Sequence, residues 1–261
     1  MIVLMYHALY ANDAELNQMP EEEKNFAVSI EAFRKQLTAI QAGNGFVDPK
    51  HLQQAYGKNK ESEKKVLLTF DDGHESFYTH AMPIMKEFSA KGIFFITPKL
   101  IETRDDFCSW EQLKEMEVEG HVIGSHGYTH RFFTLMSEQE SSDELVASKK
   151  VLDEKLGHEI TMISFPGGCF SKREIRLGLE KGYQYFFTSA VGLSQAEDVS
   201  QNRGVKRFAI RNGMSETMFT RLISGDKFYL EKIRLVNGVK GLLRKVIGDS
   251  LYYSLYKAVK G

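Results

Sequence analysis

Short apolar segments alternate with longer amphipathic segments along most of this 261-residue chain, and this alternation restricts the fold more than any other feature. Short runs rich in β-branched and aromatic residues predict strands, and apolar residues at i, i+3, i+4 and i+7 predict helices. Strands that are separated by helices pair in parallel. The predicted strands are 2–6, 66–70, 93–97, 121–125, 160–165, 184–188 and 207–211. We therefore predict an α/β fold in which about seven parallel strands close into a barrel.

Two parts of the chain depart from this alternation. Residues 12–24 are Glu-rich and have no periodicity, which predicts a loop. Residues 226–261 predict one or two basic amphipathic helices that follow a barrel domain of residues 1–225. From Lys227 onward, the sequence has eight Lys or Arg residues and two acidic residues, Glu231 and Asp249. This charge suits contact with anionic lipid head groups, and a helix that packs on the barrel with a solvated basic face is the alternative.

The overall composition restricts partners and location. The 34 Lys and Arg residues nearly balance the 35 Asp and Glu residues, so no global charge attracts the chain to nucleic acid. Cys108 and Cys169 are too few for a disulfide framework, and we expect reduced thiols. Residues 1–7 lack the pattern of a secretory signal, and no apolar run approaches the roughly 20 residues needed to span a bilayer. We expect a cytoplasmic protein, with the inner membrane face as a further option.

Polar residues and turn residues recur at the ends of the predicted strands. They are His7, Asp71-Asp72, His126, Pro166-Gly167 and Arg211. In barrels of this kind the carboxyl ends of the strands carry the chemistry, because the loops there vary while the barrel holds them rigidly. Polar residues also end strands in many proteins without a catalytic reason, but five such positions together favour a shared site.

Asp71 and Asp72 are adjacent carboxylates at one strand end, and Gly73 follows them. Successive side chains there point in different directions, so one carboxylate can bind a metal while the other accepts a proton. An ordinary Asp-Gly turn is the alternative. His126 and His130 are four residues apart, and on a helical turn their Cβ atoms would lie roughly 6 Å apart, a span that a shared metal bridges. Two imidazoles and one carboxylate leave coordination positions open, which is typical of a catalytic site.

Three segments resemble, in chain order, the first three motifs of the polysaccharide deacetylase family, of the chitooligosaccharide-deacetylase type. They are 69–73 (Thr-Phe-Asp-Asp-Gly), 125–130 (Ser-His-Gly-Tyr-Thr-His) and 165–168 (Phe-Pro-Gly-Gly). The resemblance covers roughly residues 1–225 and implies a distorted (β/α) barrel, one divalent metal, most readily zinc, and hydrolysis of an acyl group from a sugar.

The resemblance also implies roles for individual residues. It makes Asp71 the catalytic base and makes Asp72, His126 and His130 the metal ligands. The N–H of Gly167 would donate to the oxyanion, and a plain turn is the alternative reading of that segment.

The sequence departs from the family at the third motif, which usually begins with an Arg that orients the catalytic Asp. The matching position is Ser164 or its neighbour, so that role is vacant or filled from elsewhere. Arg211, at the end of the last predicted strand, is the predicted substitute. It would serve equally well as an exposed ion-pairing residue.

A second departure concerns the acid that protonates the leaving amine. The family usually supplies it from a Leu-x-His late in the chain, but no histidine follows His158. His7 resembles the acid of the branch that includes the poly-N-acetylglucosamine deacetylases, where the histidine comes from the N-terminal side. A histidine of ordinary pKa suits acid catalysis near neutrality, and a strand-end histidine bonded to backbone is the alternative.

The leading hypothesis is a metal-dependent hydrolase that removes an acetyl or formyl group from a nucleotide-linked or lipid-linked sugar during surface polysaccharide synthesis. An inactive sugar-binding protein that keeps the barrel and the metal site is the second hypothesis, because the motif Arg and the downstream His are missing. A metal hydrolase that acts on non-sugar amides is the third.

Overall fold

The computed structural model describes residues 1–56 and 65–247. Its strands are β1 (Ile2–Tyr6), β2 (Ala8–Tyr10), β3 (Ala27–Ser29), β4 (Val66–Asp72), β5 (Gly92–Ile96), β6 (Val122–Ser125), β7 (Met162–Ser164), β8 (Tyr185–Phe187) and β9 (Phe208–Ala209). Seven of them form one sheet in the order β8-β7-β6-β5-β4-β1-β9, in which every pair is parallel. The short strands β2 and β3 pair separately.

The sheet curls until its two edge strands approach each other. Val205, just before β9, forms a parallel bridge with Phe187 of β8, and Phe208 of β9 pairs with Leu4 of β1. The segment that enters β9 therefore crosses the seam of the barrel. This confirms the predicted α/β class and the distorted (β/α) barrel of seven parallel strands.

Helices surround the sheet. They are α1 (Asp13–Gln18), α2 (Glu21–Lys24), α3 (Ile30–Gly43), α4 (Leu52–Ala55), α5 (Met82–Glu87), α6 (Pro98–Thr103), α7 (Trp110–Val118), α8 (Glu138–Leu156), α9 (Lys172–Glu180), α10 (Ala196–Ser200), α11 (Glu216–Ile223) and α12 (Lys227–Ile247). Capping boxes begin α7, α8 and α9, where Ser109, Ser137 and Ser171 each exchange hydrogen bonds with the residue three positions later. These capping boxes fix the first residues of α7, α8 and α9.

The predicted loop at residues 12–24 was wrong in part. The side chain of Asn12 accepts hydrogen bonds from the N–H groups of Ala14 and Glu15 and so caps α1, and α2 follows. Both helices are short and lack buried residues, which is why no hydrophobic periodicity marks them.

The strands separate two apolar layers because successive side chains point to opposite faces. On the outer face, Leu4 and Phe70 pack with the helices in the larger core. On the inner face, Val3, Leu67 and Phe95 belong to a smaller core inside the barrel. Thr69 and Asp71 are both buried, and they lie two and four positions after Leu67 on the same strand. Their side chains therefore point inward like that of Leu67.

Helix α12 extends the barrel fold at its C-terminal side. The carboxylate of Asp226 accepts a hydrogen bond from the N–H of Tyr229, and Tyr229 and Leu230 are buried. The second predicted C-terminal helix falls largely on residues 248–261, outside the described residues. No helix in the described ranges is long and apolar enough to cross a membrane. The division at residue 225 stays a prediction.

Gly204 allows the seam segment to pass close to β8. Its φ is +88°, and a Cβ there would lie 2.4 Å from Cγ2 of Thr188, whose hydroxyl donates to the carbonyl of Val205. Gly204→Ala should therefore lower the free energy of unfolding by about 2–3 kcal/mol, from backbone strain and steric overlap together. Urea denaturation measures the change.

Gly213→Ala is the matched control for this prediction. Its φ is +74°, but no atom in the part of the chain that the structure describes lies within 4 Å of an added Cβ, so only the backbone strain should appear, about 1 kcal/mol. Equal losses for the two variants would contradict the close approach at the seam.

Candidate active site

A buried ion pair lies inside the barrel. Nη1 of Arg207 is 2.7 Å from Oδ1 of Asp71, and Nη2 is 2.8 Å from Oδ2. The Arg207 side chain is 0% exposed, and its guanidinium lies near the rings of Phe95 and Phe187. Burial acts to raise the pKa of Asp71, but the charge of Arg207 and nearby imidazoles outweigh it and hold that pKa below its ordinary value. Asp71 is therefore ionised near neutrality.

Arg207, and not Arg211, orients Asp71, so the sequence prediction for Arg211 was wrong on this point. Arg211 is exposed at the end of the barrel, and its guanidinium lies 4.7 Å from the ring centroid of Phe26. The side chains of residues 207 and 211 are expected on the same face, because an even number of positions separates them. Asp71 faces the barrel interior, and the deeper Arg207 reaches it there.

Ser164 explains how an arginine that directly precedes β9 replaces the one expected in the third motif. Its hydroxyl donates to Oδ2 of Asp71 and accepts a hydrogen bond from Nη2 of Arg207 at 2.7 Å. A small side chain at this position leaves room for the guanidinium. The missed signal was the pair of adjacent charges Lys206 and Arg207 within the otherwise apolar segment from Val205 to Ile210, since a buried charge needs a buried partner.

Asp72, His126 and His130 come together at the ends of β4 and β6. Oδ1 of Asp72 lies 3.0 Å from Nε2 of His130 and 3.3 Å from Nε2 of His126. Their ligand atoms all lie within 4.8 Å of one another, so the three residues could hold a metal ion. The histidines do not lie on a helical turn as expected. They belong to an irregular loop in which Gly127 and His130 have positive φ.

The hydrogen bonds around this triad fit a cation. Nδ1 of His126 lies 2.7 Å from the carbonyl oxygen of Ser164, which can only accept, so Nδ1 carries the proton and Nε2 presents a lone pair. Oδ1 of Asp72 is buried and makes no hydrogen bond of normal geometry with any described residue, although both imidazoles are close. Nε2 of His126 and Oδ1 of Asp72 thus converge as lone-pair donors with Nε2 of His130 beside them, a set that suits a divalent metal.

The electrostatics of the triad agree with its geometry. Burial acts to raise the pKa of Asp72, but the adjacent imidazoles bring it well below its ordinary value. Burial acts to lower the pKa of His130, but the Asp72 carboxylate raises it overall. Asp72 thus attracts positive charge to the point where the three ligand atoms meet.

Glu144, on α8, organises the loop that carries His130. Its Oε1 accepts hydrogen bonds from the N–H of Tyr128 at 2.8 Å and from the N–H and hydroxyl of Thr129. The carboxylate is buried. Because His130 follows directly with a φ of +63°, which is uncommon for a non-glycine residue, these bonds help to hold a strained ligand position.

His7 lies at the end of β1 and is partly buried. Its ring centroid is 4.7 Å from that of Phe26, and its Nδ1 is buried with no hydrogen-bond partner among the described residues. Burial lowers the pKa of His7, and the carboxylates of Asp72 and Asp71 are close enough to oppose this effect. Nδ1 of His7 therefore does not support the alternative in which this histidine is bonded to backbone. The role of His7 as the acid stays a prediction.

Gly167 lies in the turn Pro166–Gly168 directly after β7. Its φ is +61°, and a Cβ there would lie 2.7 Å from the ring of Phe132, so both conformation and space require glycine. The structure thus places Gly167 in the loop that follows Ser164, at the carboxyl end of the sheet. Its role as oxyanion donor stays a prediction.

A second group of possible metal ligands contains Glu23, His74 and Asp106. Arg104 occupies this group, because it donates to Glu23 at 2.8 Å and to Asp106 at 2.9 Å. Nδ1 of His74 is bonded to Ser76. The arginine already supplies the positive charge that a metal would bring, so this cluster reads as an ion-pair network.

Comparisons with known proteins agree with this arrangement. Residues 58–186 match the family model described as polysaccharide deacetylase. The chain is 30% identical over 231 residues to the putative polysaccharide deacetylase YxkH of Bacillus subtilis (strain 168), covering 86% of this chain and 76% of that one. It is 26% identical to the poly-beta-1,6-N-acetyl-D-glucosamine N-deacetylase of Escherichia coli (strain K12), covering 77% of this chain but 36% of that protein.

A solved structure extends the comparison. The Streptococcus pyogenes deacetylase PplD in complex with acetate superimposes with a TM-score of 0.72 at 26% identity, covering 82% of this chain and 94% of that one. Fold and site motifs thus define a barrel of the carbohydrate-hydrolase type. The chain belongs to the polysaccharide deacetylase family.

Arg207→Met should remove the counter-charge of Asp71 and lower the free energy of unfolding by about 3–5 kcal/mol, because an uncompensated carboxylate then stays buried. Arg211→Met should cost about 1 kcal/mol or less, since an exposed cation over an aromatic ring contributes little. Urea denaturation of both variants measures the difference. Combining Arg207→Met with Asp71→Asn should recover part of the loss, and equal losses for the two arginine variants would contradict our assignment.

Glu144→Ala should weaken zinc binding by about 10-fold to 100-fold, because the loop that presents His130 loses its acceptor. Isothermal titration with zinc measures this, and Glu144→Gln should recover part of the affinity. Glu154→Gln, on the exposed side of the same helix, is the control. A loss of stability with unchanged zinc affinity would show that Glu144 supports only the fold.

Proposed function

We propose that this protein is a metal-dependent hydrolase that removes an N-acetyl group from a sugar. The observation that carries the proposal is the buried, unbonded Oδ1 of Asp72 facing two imidazole nitrogens, with the ionised Asp71 beside them. Oδ2 of Asp71 is 3.9 Å from Nε2 of His126. The names of the relatives, which are deacetylases, favour acetyl over formyl as the group removed.

Asp72, His126 and His130 would hold the metal. When bound, a divalent ion such as zinc supplies a Lewis acid that polarises the acyl carbonyl and makes water more acidic. His126 is fixed for this task by its bond to the Ser164 carbonyl, and His130 by the loop that Glu144 organises.

Asp71 would take the proton from the attacking water. Arg207 and Ser164 fix both of its oxygens, so the carboxylate cannot turn away from the triad. The charge of Arg207 also keeps the carboxylate ionised and ready to accept a proton. The N–H of Gly167 would stabilise the oxyanion, because a glycine lets the substrate approach the backbone closely.

His7 would give a proton to the leaving amine. Because burial lowers its pKa, its protonated form releases the proton more readily than an exposed histidine would. His7 directly follows β1, which pairs with β4, the strand that carries both aspartates. This arrangement resembles the branch in which the acid comes from the N-terminal side of the chain.

For the substrate we propose an acetylated sugar attached to a nucleotide or a lipid, handled at the inner face of the membrane. The support is the excess of basic residues after Lys227, which suits an anionic surface or a phosphate-bearing substrate. An inactive sugar-binding protein is the alternative function. Two reasons favoured this alternative, the missing motif Arg and the missing downstream His. Arg207 removes the first reason, because it orients Asp71.

Asp71→Asn should lower kcat for acetate release by about 100-fold to 10,000-fold, and His7→Ala by about 100-fold, because each removes a proton-transfer group. The assay measures acetate and formate released from N-acyl nucleotide sugars and lipid-linked sugars by the zinc-loaded protein. Asp71→Asn should still bind zinc, and a chelator should abolish activity that zinc then restores.

His158→Ala, an exposed histidine that pairs with Glu117, is the control for His7→Ala and should keep full activity. Activity that survives His7→Ala would move the acid to another residue. Zinc binding without release from any acylated sugar would support the sugar-binding alternative, and full activity without metal would refute the proposal.

A further inference from the structure

Helix α12 has one face on the barrel and an opposite face that carries large apolar side chains. Tyr229 and Leu230 are buried, and Ile233 packs against the core. Phe228 is 87% exposed and Leu235 is 68% exposed. Residues seven positions apart on an α-helix differ by only about 20° in direction, so Phe228 and Leu235 point the same way.

The direction of this face follows from the helical period. At about 100° per residue, the buried side chains of α12 centre roughly opposite the side chains of Phe228 and Leu235. The barrel therefore holds the helix so that these two side chains point away from it. We call Phe228, Leu235 and the flanking Val236 the outer apolar face.

Basic residues border the outer apolar face. Lys232 borders one side of this face, and on the other side Lys227 and Arg234 lie beyond Glu231. All three basic residues are exposed. The acidic residue in this part of the helix is Glu231, which pairs with Arg234 at 3.4 Å. Long basic side chains beside apolar ones are typical of helices at a lipid interface, where the apolar groups enter the acyl region and the cations reach the head groups.

We propose that the outer apolar face docks this protein on the surface of an anionic lipid bilayer. Charge complementarity favours lipid over a second copy of the chain, because two copies would bring like-charged borders together. The buried side chains of α12 fix the helix to the barrel, so docking would hold the whole barrel at the membrane in one orientation. The proposal does not depend on the catalytic activity.

The test uses the full-length, zinc-loaded protein and sedimentation with vesicles. We expect binding to phosphatidylcholine vesicles that contain about one third phosphatidylglycerol, and much weaker binding to pure phosphatidylcholine. Phe228→Glu combined with Leu235→Glu should lower the partition coefficient at least about 10-fold, because two apolar anchors are replaced by acidic groups. Lys232→Gln should lower it about fivefold.

Val118→Glu is the matched control. Val118 is also 87% exposed, but it lies at the end of α7, away from the basic border. This variant should bind the vesicles like the wild type, and circular dichroism should show that all variants are folded. Equal binding by the Phe228/Leu235 variant and the wild type would overturn the proposal. So would light scattering that shows a dimer in the wild type and a monomer in that variant, because a second copy would then cover the face.

Discussion

The ion pair between Arg207 and Asp71 is the interaction on which the site depends. A carboxylate inside the barrel is costly unless a charge of opposite sign meets it. Arg207 meets it with two hydrogen bonds, and Thr188 accepts from Nε of the same guanidinium. The fixed Asp71 then lies beside the triad of Asp72, His126 and His130. The same ion pair thus compensates a buried charge, which stabilises the fold, and fixes the Asp71 carboxylate beside the triad, which the proposed chemistry needs.

The ends of the strands supply rigid positions, and the loops beyond them supply the unusual backbone conformations. Asp72 has a φ of +84° and His130 a φ of +63°, and neither is a glycine. Such residues are held by their surroundings, which here include the Glu144 carboxylate beneath the loop before His130. A buried carboxylate on a helix behind the sheet therefore belongs to the support of the candidate metal ligands, although it makes its hydrogen bonds to Tyr128 and Thr129.

The alternation of strands and helices predicted the barrel, because hydrophobic periodicity is a local property that a single sequence displays. The grouping of Asp71, Asp72, His126 and His130 was also predictable, since parallel strands bring their carboxyl ends to one edge. Arg207 could not be located in this way. Two arginines flank the last strand, and the choice between them depends on depth inside the barrel, which follows from strand register. Glu144 was missed because a helical glutamate has no local signal when its partners are backbone N–H groups 15 and 16 positions earlier.

The arginine that orients Asp71 directly precedes the last strand, and this ties the candidate site to the closure of the barrel. Arg207 bonds to groups after β8, on β7 and on β4, and it lies next to the segment that crosses the seam. Without residue 207, a chain can carry Asp72, His126 and His130 but leaves Asp71 without its counter-charge. The segment that closes the barrel therefore also completes the candidate site.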